Sequence, residues 1–387
     1  MTFNAHHVNL TVLKQRAYNL RWATVPEDVI PLTAADPDFP CSQAIRSAVE
    51  EYSKEAYFSY APPEGLPEFK IAMHNFLMSS RSWSVKSENI LPVDSAAFGI
   101  YLTCQTFLSQ GDEAIIFDPV DFLFHYSITE LGATPVRFAI PPGTDTVDFS
   151  ELEQLITSKT RLICLCNPLN PTGKVFTRGE LKQLGEIAVR HNIIILSDEI
   201  WSDIVFKPAV FTSIGSISEE ISDHVILVTG FSKSYGLAGL RIGVVASTND
   251  ELFEKLLTKS LHKSTIHGVN SIGQIAATAA LENSQEWLVE FVAHLQKMRD
   301  FVTQRINQLP GLKTISPDGC YVSFIDVRGT GMTATAFQEK MFQEAKVALV
   351  PGLPQWFGPG AEGYVRLSFA TSSEILEEAM NRIAKYL

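Results

Sequence analysis

Six short runs of aliphatic residues, most followed by a polar turn or a helix-like stretch, set the main limit on how this chain can fold. They are Ile90-Leu91-Pro92-Val93, Ala114-Ile115-Ile116-Phe117, Arg161-Leu162-Ile163-Cys164-Leu165-Cys166, Ile193-Ile194-Ile195-Leu196, Val225-Ile226-Leu227-Val228 and Ile242-Gly243-Val244-Val245. The runs are nearly uninterrupted, with no apolar–polar alternation. A strand reads this way when both of its faces are buried. Helix-like stretches such as Glu180 to His191 lie between several of them. This alternation predicts an α/β fold of three layers, with a mostly parallel sheet between helices.

Beyond residue 250 the pattern changes. Glu251 to Leu281 and Trp287 to Leu309 read as long helices. Strands are expected near Tyr321 to Val327 and Tyr364 to Phe369, and a last helix over Ser373 to Tyr386. With 387 residues the chain exceeds one small core. The reading is a large domain over 46–285 and a smaller α+β domain formed by 1–45 together with 286–387.

Charge and cysteine content narrow the function. Forty-three acidic residues against 31 basic ones leave a formal net charge of -12. Such a surface repels phosphate backbones and anionic lipid, which disfavours nucleic-acid and membrane partners. No apolar stretch reaches the roughly 18 residues of a membrane span. The opening MTFNAHHVNL lacks a basic start followed by an apolar run. A cytoplasmic location is expected. Of the five cysteines, only Cys164 and Cys166 are close, and residues two apart on a strand point the same way. Without a CxxC or a histidine cluster they read as core thiols, and no metal site is expected.

In a parallel sheet, ligands sit beyond the carboxyl ends of the strands. Three polar, turn-rich segments follow strands here: Asn167 to Gly173, Ser197 to Trp201, and Thr229 to Gly236. Lys233 precedes the small-residue stretch Gly236-Leu237-Ala238-Gly239-Leu240-Arg241. A lysine at a strand end is most often a surface charge, but one packed among small residues is desolvated, which favours the neutral, nucleophilic amine. Asp198 closes a buried strand, either as a helix cap or as a carboxylate facing a ring nitrogen. Asn170 lies between two prolines and can bond a phenolic oxygen or a substrate carboxylate. Arg241 and Arg366 are each a surface ion pair or an anion clamp, the first for phosphate and the second for an α-carboxylate.

In combination these residues are more specific. NPxNPTG, a strand ending in SDE, then Ser232-Lys233 and GLAGLRIG resemble the fold-type I pyridoxal 5'-phosphate (PLP) enzymes. The likeness is to the class I/II aminotransferase family, which also contains carbon–sulfur β-lyases. It runs from Ala35-Asp36-Pro37-Asp38-Phe39 to Tyr364-Val365-Arg366-Leu367-Ser368-Phe369. The resemblance implies PLP held as a Schiff base on Lys233, which also moves the reaction's proton, with Asp198 on the ring nitrogen and Asn170 on the O3' oxygen. It implies phosphate binding by the Ser95 and Ala96 backbone at a helix N-terminus, by Ser232 and by Arg241. Arg366 would hold the substrate α-carboxylate, with Asn170 and Ala35 beside it. Tyr60 would reach the phosphate across a homodimer interface.

The implied reaction is amino transfer between an amino acid and a 2-oxo acid. β-Elimination is the alternative, and the segments Ala34 to Phe39 and Ser197 to Asp203 lean that way. A non-catalytic PLP-sensing module is disfavoured by the acidic charge and the short stretch ahead of the fold. No GxGxxG follows a strand, which disfavours a nucleotide-dependent oxidoreductase.

Some positions depart from the family pattern. Pro119-Val120-Asp121 stands where the family usually has an aromatic over the cofactor, so either Phe122 covers the ring instead or the ring is covered differently. Trp201 replaces a common tyrosine or histidine, Gly230 a phosphate-binding serine, and Ala35 a glycine. Lys263 and His267 lie where the family often presents specificity residues to the neighbouring subunit. A basic pair there would favour an acidic substrate.

Overall fold

A computed structural model describes residues 3–387. In chain order the strands are β1 (Ile30–Pro31), β2 (Ile90–Val93), β3 (Glu113–Asp118), β4 (Thr134–Ala139), β5 (Thr160–Cys166), β6 (Ile194–Asp198), β7 (Val225–Gly230), β8 (Gly243–Ala246), β9 (Lys313–Thr314), β10 (Val322–Asp326), β11 (Val347–Ala348), β12 (Val350–Pro351) and β13 (Tyr364–Ser368). Seven form the central sheet, ordered β2-β8-β7-β6-β5-β3-β4. From β7 to β4 all neighbours are parallel, and β8 alone runs against the rest. Ile115, Ile163, Leu165, Ile195 and Ile226 are fully buried, which explains runs without polar alternation. The expected three-layer, mostly parallel sheet is present.

The expected helix from Glu251 to Leu281 is two helices, Asp250–Ser260 and Ser271–Asn283. Leu261 and His267 have positive φ, as does Gly268, so the backbone leaves the helical region. Asn270 then caps the second helix, its Oδ1 accepting the Gly273 N–H at 2.6 Å. Buried His262 anchors the break, its Nε2 lying 3.0 Å from the Pro92 carbonyl oxygen. The helices Gln285–Asn307 and Ser373–Tyr386 match expectation within two residues at each end.

The C-terminal strands form a four-stranded antiparallel sheet, β12-β13-β10-β9. The N-terminal segment packs onto this part of the chain. β1 pairs with β11, the Ser368 N–H donates to the Leu32 carbonyl, and the Asp38 N–H donates to the Ala370 carbonyl. A buried Arg21–Asp38 ion pair ties the segment together, with Trp22 Nε1 donating to the same carboxylate at 2.8 Å and Arg21 to the Ala34 carbonyl at 3.2 Å. These bonds fix the position of Ala35.

Candidate active site

One cavity of about 560 Å³ opens at the carboxyl ends of β5, β6 and β7. Its floor is built from the segments that follow those strands, and its roof from Leu20, Ala34, Ala35, Val350, Trp356 and Phe357. Lys233, Asp198, Asn170, Ser95, Ala96, Ser232, Arg241, Trp201, Phe122, Arg366 and Ala35 all line it.

Lys233 stands on the short helix Ser232–Tyr235 directly after β7. From behind, Ser234 Oγ donates to Asp203 Oδ2 at 2.7 Å, and Asp203 pairs with Arg81. The Lys233 amine donates to the Ala35 carbonyl at 2.8 Å, and the Tyr321 hydroxyl donates to the same oxygen at 3.2 Å. Burial lowers the amine's pKa, against the opposing pull of Asp36, Asp121 and Asp198. The outcome is an amine biased toward its nucleophilic form.

Asp198 ends β6, and its Oδ1 accepts the Ile200 N–H at 3.1 Å, so the capping bond is present beside an exposure to the cavity. Burial pushes its carboxyl up to about 7. The neighbouring Glu199 is also held near 7 by burial, but it takes hydroxyl bonds from Ser213 at 2.7 Å and Ser197 at 3.1 Å and does not line the cavity. A carboxylate so poorly solvated favours a cationic partner. It also carries a measurable consequence. The unfolded chain releases the Asp198 proton near pH 4, whereas the folded chain keeps it to about pH 7. Stability of the cofactor-free protein therefore falls as pH rises through that window, by about 1.4 kcal/mol per unit of pKa difference at most. We expect cofactor-free Asp198→Asn to resist urea better than wild type at pH 8, with the gap closing toward pH 5. A gap independent of pH would reject this account.

The opposite side of the cavity attracts anions. Ser95 caps the helix Ala96–Phe107, its Oγ accepting the Phe98 N–H at 3.1 Å. The helix N-terminus thus faces the cavity with its positive end. Gly243 lies against it: a Cβ there would fall 2.5 Å from the Ala96 nitrogen, so only glycine lets β8 come this close. Arg241 sits at the cavity rim, 3.7 Å from Asp94.

Arg366, on β13, is buried at 8% exposure. Its Nη1 donates to Asn170 Oδ1 at 3.1 Å and its Nη2 to the Thr33 carbonyl at 3.3 Å, while Nε has no partner among the described residues. The Asn170 Nδ2 donates to Asp121 Oδ2 at 2.8 Å. Phe122 lines the wall in an edge contact with Trp356, 5.4 Å between centroids. Trp201 is 5.2 Å from the Lys233 amine and packs edge-on against Tyr321.

Tyr60 is not brought to this cavity within one chain. It is 87% exposed and its ring meets His267 on the outer surface. Lys263 lies on the same side of the molecule, paired with Glu64 at 3.1 Å. Sequence reasoning missed Tyr321, Trp356 and Leu20, which reach the site from distant segments that carry no motif. No cluster of three metal-ligating side chains occurs among the described residues.

The residues present fit PLP. Its aldehyde requires an amine, its ring nitrogen a carboxylate, and its phosphate an anion socket; Lys233, Asp198 and the N-terminus of the helix Ala96–Phe107 supply these. The unpartnered Nε of Arg366 fits an additional carboxylate.

Known proteins resemble this chain over most of its length. An aspartate aminotransferase of Pyrococcus horikoshii is 34% identical over 368 residues, covering 94% of this chain and 92% of its own. A cystathionine beta-lyase of Bacillus subtilis is 28% identical over 360 residues, covering 92% of each chain. The PLP-bound structure of a Clostridium difficile protein has a TM-score of 0.89 at 28% identity, covering 96% of this chain and 97% of that one. Residues 27–383 match the family described as aminotransferase class I and II, and the chain belongs to that family.

Proposed function

We propose that this aminotransferase holds PLP on Lys233 and moves an amino group between an α-amino acid and a 2-oxo acid. The observation that carries this reading is the placement of a desolvated amine, Lys233, and a desolvated carboxylate, Asp198, in one cavity between an anion socket and Arg366. When bound, PLP supplies an electron sink for negative charge that develops at the substrate Cα. The chain supplies the rest. Asp198 would pair with the ring nitrogen by a charge-assisted bond. Asn170 would hold the ring oxygen. Ser95, Ala96, Ser232 and Arg241 would hold the phosphate. Arg366, with Asn170, would hold the α-carboxylate and so orient the Cα–H bond. The Lys233 amine, when free, would take the Cα proton and return it. The apolar walls, Phe122 and Trp356 among them, exclude water.

A homodimer with shared sites is part of the same proposal. Tyr57, Phe58, Tyr60 and Ile266 are exposed at 79%, 61%, 87% and 52%, and Phe58, Tyr60 and Ile266 share one surface depression. Apolar patches of this kind mark association surfaces. The division at 46–285 and a cytoplasmic location also stand as proposals; no helix among the described residues is long and apolar enough to cross a membrane. β-Elimination is the second reading, favoured by the likeness to the cystathionine beta-lyase.

The test is a half-reaction. The purified holoenzyme is mixed with single amino acids, without a keto acid, and its visible spectrum followed. Conversion to the amine form of the cofactor, with release of a 2-oxo acid, is expected. Pyruvate and ammonia from a β-substituted amino acid would favour the second reading. A colourless protein that stays colourless with added PLP overturns both. Sedimentation of the same holoenzyme as monomer alone rejects the shared site.

A further inference from the structure

We infer that the amino donor carries a second cationic group, an ammonium or guanidinium on its side chain, and that Asp121 recognises it. This deepens the proposed function and rests on it.

Asp121 leaves β3 through Pro119 and Val120 and caps the helix Phe122–Thr129, its Oδ1 accepting the Leu123 N–H at 3.2 Å. Its Oδ2 accepts from Asn170 Nδ2 at 2.8 Å. Neither bond requires a charge, since an asparagine or serine caps a helix equally well. Yet the side chain is a carboxylate, and it lines the cavity.

The charges around the cavity can be matched one by one. The lining includes three cations, Lys233, Arg241 and Arg366, and two carboxylates, Asp198 and Asp121. Under the proposed function every cation is engaged, Lys233 with the aldehyde, Arg241 with the phosphate and Arg366 with the α-carboxylate. Asp198 is matched to the ring nitrogen. Asp121 alone remains. In the free cavity Arg366 and Lys233 are the cations that oppose its desolvation. Once substrate and cofactor engage both, Asp121 keeps two neutral N–H donors for a group that accepts about four hydrogen bonds. Its surroundings, Phe122, Leu123, Trp356 and Phe357, are apolar. An anion left there without a counter-charge is strongly disfavoured.

A cation on the substrate removes this imbalance, and an acidic side chain worsens it. The distances are suitable: a single amide, Asn170, bridges Asp121 and the Arg366 clamp. That separation is within the span of an amino-acid side chain. No unassigned cation lines the cavity to receive a side-chain carboxylate, and Lys263 is already paired with Glu64. The reading therefore departs from the acidic substrate that Lys263 and His267 suggest in the sequence.

The experiment compares donors in the half-reaction of the holoenzyme. Lysine, ornithine and arginine are set against norleucine, which has a neutral side chain of similar length, and against aspartate. At least one basic donor should exceed norleucine in kcat/KM by about tenfold or more, with aspartate below norleucine. In Asp121→Asn, which keeps an oxygen to accept the Leu123 N–H and cap the helix, the ratio of basic donor to norleucine should fall by about tenfold. Equal loss for both donors would mark a purely structural role and overturn the inference. Wild-type preference for norleucine or aspartate over all three basic donors overturns it without any variant. Those results leave the proposed function standing. A holoenzyme converted by no amino acid at all rejects the proposed function, and this inference with it.

Discussion

Lys233→Ala loses amino transfer by about four orders of magnitude or more in kcat, and borohydride no longer fixes the cofactor to the protein. The size follows from two roles that reside in one atom. Under the proposed function the Lys233 amine is the covalent anchor and also the group that carries the Cα proton, a role worth about 10²- to 10⁴-fold by itself. The variant should fold. The helix Ser232–Tyr235 keeps its hold through Ser234, Asp203 and Arg81, and the Ala35 carbonyl keeps the Tyr321 hydroxyl as donor. Removing a buried amine also removes a desolvation penalty. Mass spectrometry after borohydride treatment, beside single-turnover rates, checks both parts. A variant that retains a covalently fixed cofactor would show that another residue forms the bond.

Arg366→Ala separates substrate binding from cofactor binding. In the proposed function the buried guanidinium receives the substrate α-carboxylate, and its Nη atoms hold Asn170 and the Thr33 carbonyl. Truncating one partner of a buried, hydrogen-bonded charge pair costs about 2–5 kcal/mol, so kcat/KM for any amino donor should fall by roughly 30- to several-thousand-fold. The loss should lie mainly in KM, with the visible spectrum of the bound cofactor unchanged. Arg366→Lys should recover only part of the loss, since a point charge does not reproduce the planar fork. An unchanged KM in the alanine variant rejects the role. Loss of the cofactor spectrum would mean that Arg366 holds the cofactor instead.

The features legible in the sequence are those set by the sheet. Strands β5, β6 and β7 are buried on both faces, so they appear as apolar runs, and the first polar residues after them mark the cavity. Asn170, Asp198 and Lys233 follow from that rule. The break between Ser260 and Ser271 is hidden because Leu261, Ile266 and Val269 continue the apolar rhythm of a helix. Only left-handed residues and the Asn270 cap end it. Tyr321 is invisible for a different reason: its bond to Ala35 joins segments far apart in the chain, and no local pattern encodes it. Asp121 stands out in the sequence only as a missing aromatic. Its bond to Asn170, which gives the carboxylate its place in the site, requires the fold.

The pairing of β1 with β11 determines when this protein can become active during its synthesis. Ile30 leaves the ribosome long before its partner Val347 is made. The segment that presents the Ala35 carbonyl to Lys233 stays unanchored until β11, β13 and Ala370 have emerged. A nascent chain already holding Ser95, Asp198 and Lys233 thus has the floor of its cavity without the roof. Closing so long a loop is slow relative to local folding. Stable cofactor capture is therefore expected only after β11 and β13 have been made.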